Sequence, residues 1–242
     1  RPSQTPAPRA HPPPHPRDAE EPRPAPPTLW PAGRLRAVGC PPSPAEELVE
    51  AHHVAERRGL MRMRTEQPPY SLLARGIERA VLPTAQRLGM GVLTWSPLAS
   101  GFLSGAYRAG RPVDLTTGRA RLTPHRFDPD APGNPAKFAA VEQLIALTEE
   151  LGCTLPELAV AFPLVHPAVT SAIIGPRTMD QLTSLLAGAD LLLDDATLDP
   201  LDGILPPGTP LYRADGRGQP PPPTQPGLRR PPRGERGAAG PP

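Results

Sequence analysis

Between residues 34 and 188 the chain alternates four times between a short apolar run and a segment of helical period. The apolar runs fall at residues 34–39 (RLRAVG), about 60–65, 91–95 (GVLTW) and 169–175 (VTSAIIG). Each is followed by a stretch whose apolar residues recur every three or four positions, the signature of an amphipathic helix. Strands that alternate with helices pair in parallel, because a helical crossover returns the chain to the same end of the sheet. The pattern therefore predicts an α/β fold of about four βα units. An open doubly wound sheet and part of a (β/α)8 barrel both fit, and periodicity does not separate them.

Helix boundaries can be read from capping residues. Ser43-Pro44-Ala45-Glu46 reads as a capping box that opens a helix with Leu48, Val49, Ala51, His52 and Ala55 on one face. Residues 76–88 read as a helix interrupted or restarted at Pro83. Asn134-Pro135 caps a helix that ends at Gly152, and Thr154-Leu155-Pro156-Glu157 forms a second capping box. Pro163 lies inside that last pattern, where its ring and missing N–H should kink the helix or end it early. Residues 99–133 carry little regular pattern, and a loop of this length in a compact domain is commonly functional.

Proline limits how far the domain extends. The chain has 41 prolines in 242 residues, and about two-thirds of them lie in residues 1–44 and 206–242. Those ends lack the apolar residues that offset ordering entropy, so they read as disordered or polyproline-like. The expected organisation is a Pro-rich segment over 1–32, a folded unit over 33–208 and a Pro/Arg/Gly-rich tail over 209–242.

A net charge of +2 gives no reason to expect nucleic acid as a partner. The basic tail segment LRRPPRGERG has no interleaved aromatics and reads as solvated. Cys40 and Cys153 have no partners at metal spacing, so no metal site is expected and both read as reduced thiols of a cytoplasmic protein. The first residues have no apolar core of a secretory signal, and no run approaches a membrane span, so no membrane partner is expected.

Active sites of parallel α/β folds lie beyond the carboxyl ends of the strands. Here those ends carry Gly39-Cys40, Glu66-Gln67, Trp95-Ser96 and Ile174-Gly175. Gln67 has the donor and acceptor to match a carboxamide, and Trp95 has a face on which a flat ring can stack. Residues 96–105 (SPLASGFLSG) offer backbone N–H groups and small side chains to phosphate oxygens. Gly175, Arg177 and Thr178 stand at a helix start, where the dipole and the guanidinium favour an anion. Each feature has a plainer reading: packing for Trp95, surface for Gln67, and a turn and cap for Gly175-Pro176-Arg177-Thr178. Their occurrence at successive strand ends favours a nucleotide site.

The segments ELVEAHHVAERRGLMRMRTEQPPYSLLARGIE and VLPTAQRLGMGVLTWSPLASGFLSG, with HPAVTSAIIGPRTMDQLTSLLAGADLLLD and LDGILPPG, resemble the second half of an aldo-keto reductase. The resemblance spans about residues 33–208. It implies roughly the last four βα units of a (β/α)8 TIM barrel that binds NADP(H) across the strand ends and reduces aldehydes or ketones by hydride transfer, without a metal. It places Gln67 on the nicotinamide carboxamide and Trp95 against the nicotinamide ring. Ser96 and Leu98 fall in the pyrophosphate loop, and Gly175, Arg177, Thr178 and Gln181 fall at the adenosine-phosphate end.

The family's catalysis resembles a relay of Asp, Tyr, Lys and His, in which Tyr protonates the carbonyl oxygen and a nearby positive charge lowers its pKa. This chain departs from that pattern. Its one lysine, Lys137, lies in a late helix, and Tyr70, Tyr107 and Tyr212 all follow the region where the acid belongs. The family spacing from a His through Glu20-Glu21 to Gly33 puts His11 at the catalytic histidine position. Pro41 and Pro42 replace side chains that would help to clamp the carboxamide.

The expectation is therefore a truncated or frame-disturbed NADP(H)-dependent reductase with impaired or absent activity, acting on a small carbonyl substrate if active. Its open barrel edges should promote self-association. Two other classes remain open: a non-catalytic nucleotide-binding or regulatory module, like the channel-associated relatives of these reductases, and an interaction protein using its proline-rich tails.

Overall fold

The computed structural model describes residues 35–211. Four strands form one sheet in the order β1 (Gly39–Cys40), β2 (Thr65–Glu66), β3 (Gly91–Trp95) and β4 (Val169–Ile173), with every neighbouring pair parallel. Helices α1 (Ala45–Arg57) and α2 (Val81–Arg87) fill the first two crossovers. The third holds α3 (Gly118–Leu122), α4 (Asn134–Leu151) and α5 (Leu155–Val165), and α6 (Met179–Ala187) and α7 (Asp195–Ile204) follow β4. The alternation in the sequence thus corresponds to parallel βα units. The tails and His11 lie outside the described residues.

Register sorts the side chains by face. Cys40, Glu66 and Val92 align across β1–β3 and are all buried under the helices. Gly39, Thr65 and Gly91 align one residue earlier and turn to the opposite face. That layer is crowded. A β-carbon at Gly39 would collide with Thr65 Oγ1 and come within 2.9 Å of the Thr65 carbonyl, and one at Gly91 would lie 2.8 Å from Thr170 Oγ1. The Thr65 side chain thus occupies the space beside Gly39, and that of Thr170 the space beside Gly91. A bulge between Val92 and Leu93 pairs Leu93 with Ser171, leaving Thr170 as the extra residue of β4.

The core lies between the sheet and its helices. Leu72, Leu82, Val92, Leu144, Leu158 and Leu201 are fully buried there. The extent of the first strands differs from the sequence reading. The first two strands are two residues each and start later than the apolar runs suggested, although Arg64 N–H to the Val38 carbonyl extends the first ladder by one bond. Apolar content marks burial, while strand extent depends on where a neighbour offers ladder partners.

Three helix starts also differ. Ser43 does not cap α1. Pro44 is the N-cap residue, the Ser43 hydroxyl donates to the Pro41 carbonyl (3.0 Å), and the Ser43 N–H donates to Glu66 Oε1 (3.2 Å). Residues 76–88 break at Ala80, between a 3-10 turn (Gly76–Arg79) and α2, and Pro83 sits in the first turn of α2, where its missing N–H costs nothing. At α4 the cap is Gly133 in a left-handed conformation (φ 85°), and Asn134 is the first helical residue.

The capping box at α5 forms as read, with Glu157 N–H donating to Thr154 Oγ1 and Thr154 N–H to the Glu157 carboxylate. Helix α5 ends two residues past Pro163.

The long crossover segment is pinned by α4. Asn134 Nδ2 donates to the carbonyls of His125 and Asp128, and Lys137 Nζ donates to that of Arg126 (2.7 Å) while lying 4.7 Å from the centre of the Phe102 ring. Glu142 takes Arg108 in a two-point pair and also accepts from the Ala109 N–H. These partners hold the Glu142 carboxyl down at about 2. The chain end is held likewise. Arg75 donates to Glu78, Asp202 and the Leu205 carbonyl, Glu78 accepts from Gly208 N–H, and Leu211 N–H donates to the Leu73 carbonyl.

Candidate nucleotide-binding site

The parallel register brings three of the four strand ends together at one edge of the sheet. Trp95 is the last residue of β3 and pairs with Ile173, the last residue of β4, so the chain leaves both strands at the same level, towards Ser96 on one side and Ile174-Gly175 on the other. On the other side Trp95 continues past the end of β2. Its N–H donates to the Pro68 carbonyl (3.1 Å), and its carbonyl accepts from Tyr70 N–H (3.3 Å). The indole N–H of Trp95 donates to the Gln67 carbonyl (3.0 Å). Gln67 and Trp95, singled out separately in the sequence, are thus fastened to each other.

That bond fixes the Trp95 ring while leaving it half-buried, and Gln67 is exposed. The Gln67 carboxamide makes no hydrogen bond among the described residues. A fixed aromatic face beside an unengaged carboxamide suits a flat ring carrying an amide. Alternation explains the placement: Glu66 points into the helix layer, so the next residue, Gln67, faces outward from it.

The segment after Trp95 is the most strained in the described chain. Ser96 (φ 61°), Ala99 (φ 49°) and Ser100 (φ 62°) are its three non-glycine residues with positive φ, and Gly101 (φ 99°) and Gly105 (φ 81°) follow. Each such residue costs on the order of 1–3 kcal/mol and persists only where surroundings enforce it. The enforcing contacts are visible. Ser96 accepts from Ser100 N–H through its hydroxyl (2.8 Å) and from Ala99 N–H through its carbonyl (2.8 Å), Leu98 accepts from Gly101 and Leu103, and Phe102 and Leu103 are buried in the core. The amides of Ala99, Ser100, Gly101 and Leu103 are thus spent inside the turn, contrary to the expectation that this loop offers them to phosphate oxygens.

Gly175, Arg177, Thr178 and Gln181 are all exposed at the start of α6. Thr178 caps the helix by accepting from Gln181 N–H (3.3 Å), and Gln181 accepts in return from Arg177 N–H (2.9 Å). Two helix-start amides are therefore already satisfied internally. Arg177 forms no salt bridge among the described residues, and Asp180 adds a carboxylate to the same first turn. The structure thus joins Gln67 to Trp95 by a hydrogen bond, with Ser96 and Leu98 following β3 in the chain and Gly175, Arg177, Thr178 and Gln181 following its neighbour β4.

No described tyrosine has the surroundings of a proton donor. The Tyr70 hydroxyl donates to Glu78 (2.7 Å), and burial together with the Glu78 charge pushes its pKa far up. Burial raises Tyr107 as well, and its ring packs against Phe102 and Phe127. Lys137, the one lysine, is buried in α4. Tyr212 lies outside the described residues.

The sequence reading passed over Glu66. It is fully buried, Oε1 accepts from Ser43 N–H, Oε2 has no partner, and burial pushes its carboxyl up to about 7. Its ladder partner Cys40 is a neutral thiol, pushed up to about 12 by burial. The available signal was position: in a strand, the neighbour of an outward Gln must point inward.

A parallel α/β sheet with its strained turn and helix start at the carboxyl edge defines the class of proteins that bind ligands outside their strand ends. The model of the Aldo/keto reductase family matches residues 19–206. This chain belongs to that family.

It is 37% identical over 176 residues to the uncharacterized oxidoreductase YrpG of Bacillus subtilis, covering 72% of this chain and 50% of that protein. It is 31% identical over 166 residues to a putative voltage-gated potassium channel subunit beta of Schizosaccharomyces pombe, covering 66% and 47%. Among solved structures it is similar to the glycerol dehydrogenase AKR11B4 of Gluconobacter oxydans, with a TM-score of 0.60 and 26% identity over 73% of this chain and 51% of the other. The fold is therefore part of a TIM barrel, and the chain spans about half the length of the curated relatives it matches.

Proposed function

We propose that the described half-barrel carries the dinucleotide-binding side of an NADP(H)-dependent carbonyl reductase. The observation that carries this reading is the Gln67–Trp95 pair, an exposed carboxamide beside an anchored aromatic side chain, followed by a strained turn. Gln67 and Trp95 would hold the nicotinamide. Ser96 and Leu98 would face the pyrophosphate, and Gly175, Arg177, Thr178 and Gln181 the adenosine phosphate. When bound, the reduced cofactor supplies the hydride for a carbonyl carbon.

Turnover also needs a proton for the carbonyl oxygen, and neither described tyrosine is suited to give one. Loss of a positioned acid removes about 10²–10⁴-fold in rate. We therefore read the chain as a reductase with impaired or absent turnover by itself.

The test pairs calorimetric titration of the full chain with NADPH and an assay of aldehyde reduction. NADPH binding should be measurable in the wild type and fall about tenfold or more in Gln67→Ala, the scale of one or two lost hydrogen bonds. Equal affinity in wild type and Gln67→Ala would sink the assignment.

The tyrosine environments also favour a second reading, a nucleotide-binding module without catalysis. The similarity to a putative channel subunit accords with it. Aldehyde reduction, however slow, rules this second reading out in favour of an impaired reductase.

A further inference from the structure

Residues 41–44 read Pro-Pro-Ser-Pro. Proline has no N–H, so the Ser43 amide is the only backbone donor between Cys40 and Ala45. Glu66 Oε1 takes it, reaching from β2 to the entrance of α1. The Ser43 hydroxyl is turned to Pro41, and α1 has no side-chain cap of its own. A single carboxyl group thus ties the β1–α1 loop to the sheet. Its residue is covalently joined to Gln67, and the loop it holds lies at the same carboxyl edge.

We propose that Glu66 is a positioning residue whose proton sets how firmly the β1–α1 loop is seated beside Gln67. As a carboxylate it accepts the Ser43 N–H in a charge-assisted bond, roughly twice as strong as a neutral one. Protonated, it accepts weakly, and the buried Oε2 has no partner for a proton. The loop is firm when Glu66 is ionised and loose when it is neutral. The consequence for dinucleotide binding rests on the function proposed above.

The groups around Glu66 leave it free to titrate in the neutral range. Cys40 on β1, its ladder partner, stays a neutral thiol. The first turn of α1 brings Glu46 and Glu47, and β3 presents Gly91 and Val92, which do not titrate. Burial holds the Glu66 carboxyl at about 7, and the Ser43 amide opposes that shift.

The Ser43 amide is a reporter that needs no ligand. In nitrogen-15 spectra of the full chain it should shift with a midpoint near 7 in the wild type and stay flat in Glu66→Gln, which keeps an acceptor and loses the charge. NADPH affinity should weaken about threefold to tenfold from about pH 8 to about pH 6 beyond any change in Glu66→Gln. Gln67→Ala should lose affinity while leaving the Ser43 titration in place.

A flat Ser43 amide, or a midpoint in the ordinary glutamate range, overturns the latch. A titrating amide with the same pH dependence of affinity in wild type and Glu66→Gln overturns its link to the site. If the wild type binds no NADPH at any pH, the functional reading falls, and the Ser43 amide alone still decides the latch.

Discussion

Glu66 shows how one residue can set a pH dependence for the whole domain. Its carboxyl ionises at about 4.5 in the unfolded chain and at about 7 in the folded one. Between those values the unfolded state binds fewer protons, so stability falls as pH rises. The loss should total on the order of 3 kcal/mol and level off above the folded value. Urea denaturation across this range, which lies above the window from about 2 to about 4.5 in which Glu142 changes its contribution, should show the decline in the wild type and a flatter profile in Glu66→Gln. A wild-type profile that rises from about 4.5 to about 7 would contradict the burial of an unmatched carboxyl.

At this scale, Gln67 and Trp95 were readable in the sequence as residue types at strand ends, and the structure adds the bond that couples them. Glu66 was harder to read, because nothing local distinguishes a buried glutamate from a solvated one until the opposite face has a cover.

Elements were readable where the signal is local. The Thr154–Glu157 box names its own partners three residues apart, and the helix it opens begins where the sequence puts it. Ser43 failed as a cap because its hydroxyl turns back to the Pro41 carbonyl, and a distant strand supplies the carboxyl group that takes its amide. The short strands were misplaced for the same kind of reason, since their bounds depend on neighbours far along the chain.

The glycine–threonine layer belongs to this scale and can be tested. Gly39→Ala puts a β-carbon into Thr65 Oγ1 and its carbonyl, and Gly91→Ala meets only the tip of Thr170. Overpacking of this kind costs about 1–3 kcal/mol. Gly39→Ala should be the more costly of the two in chemical denaturation, and Thr65→Ser should not relieve it, because the backbone carbonyl remains in the way.

At the scale of the whole molecule, the sheet has two open sides among the described residues. Neither β1 nor β4 has an outer neighbour among the described residues, and Thr170, Ser171 and Ile173 on β4 are exposed. Unpaired strand edges invite pairing with another chain. Sedimentation velocity over a range of concentrations should show association, and a single compact monomer at every concentration would contradict it. The parallel architecture was readable from the fourfold alternation. The alternation did not choose between an open sheet and part of a barrel; the resemblance did, and the family match and the structural likeness bear it out.

The clamp around Arg75 bears on how the protein is made. Its partners Asp202 and the Leu205 carbonyl, and the Gly208 amide that completes Glu78, lie some 130 residues further along the chain. At usual rates of synthesis that is a delay of about ten seconds. During it the segment around residues 70–79 has left the ribosome with a cation destined for burial and no acceptor from the far end. The loop that supports Gln67 and Trp95 is then among the last parts to settle, and a nascent chain paused before residue 202 should be held by chaperones or cut by proteases at this point first.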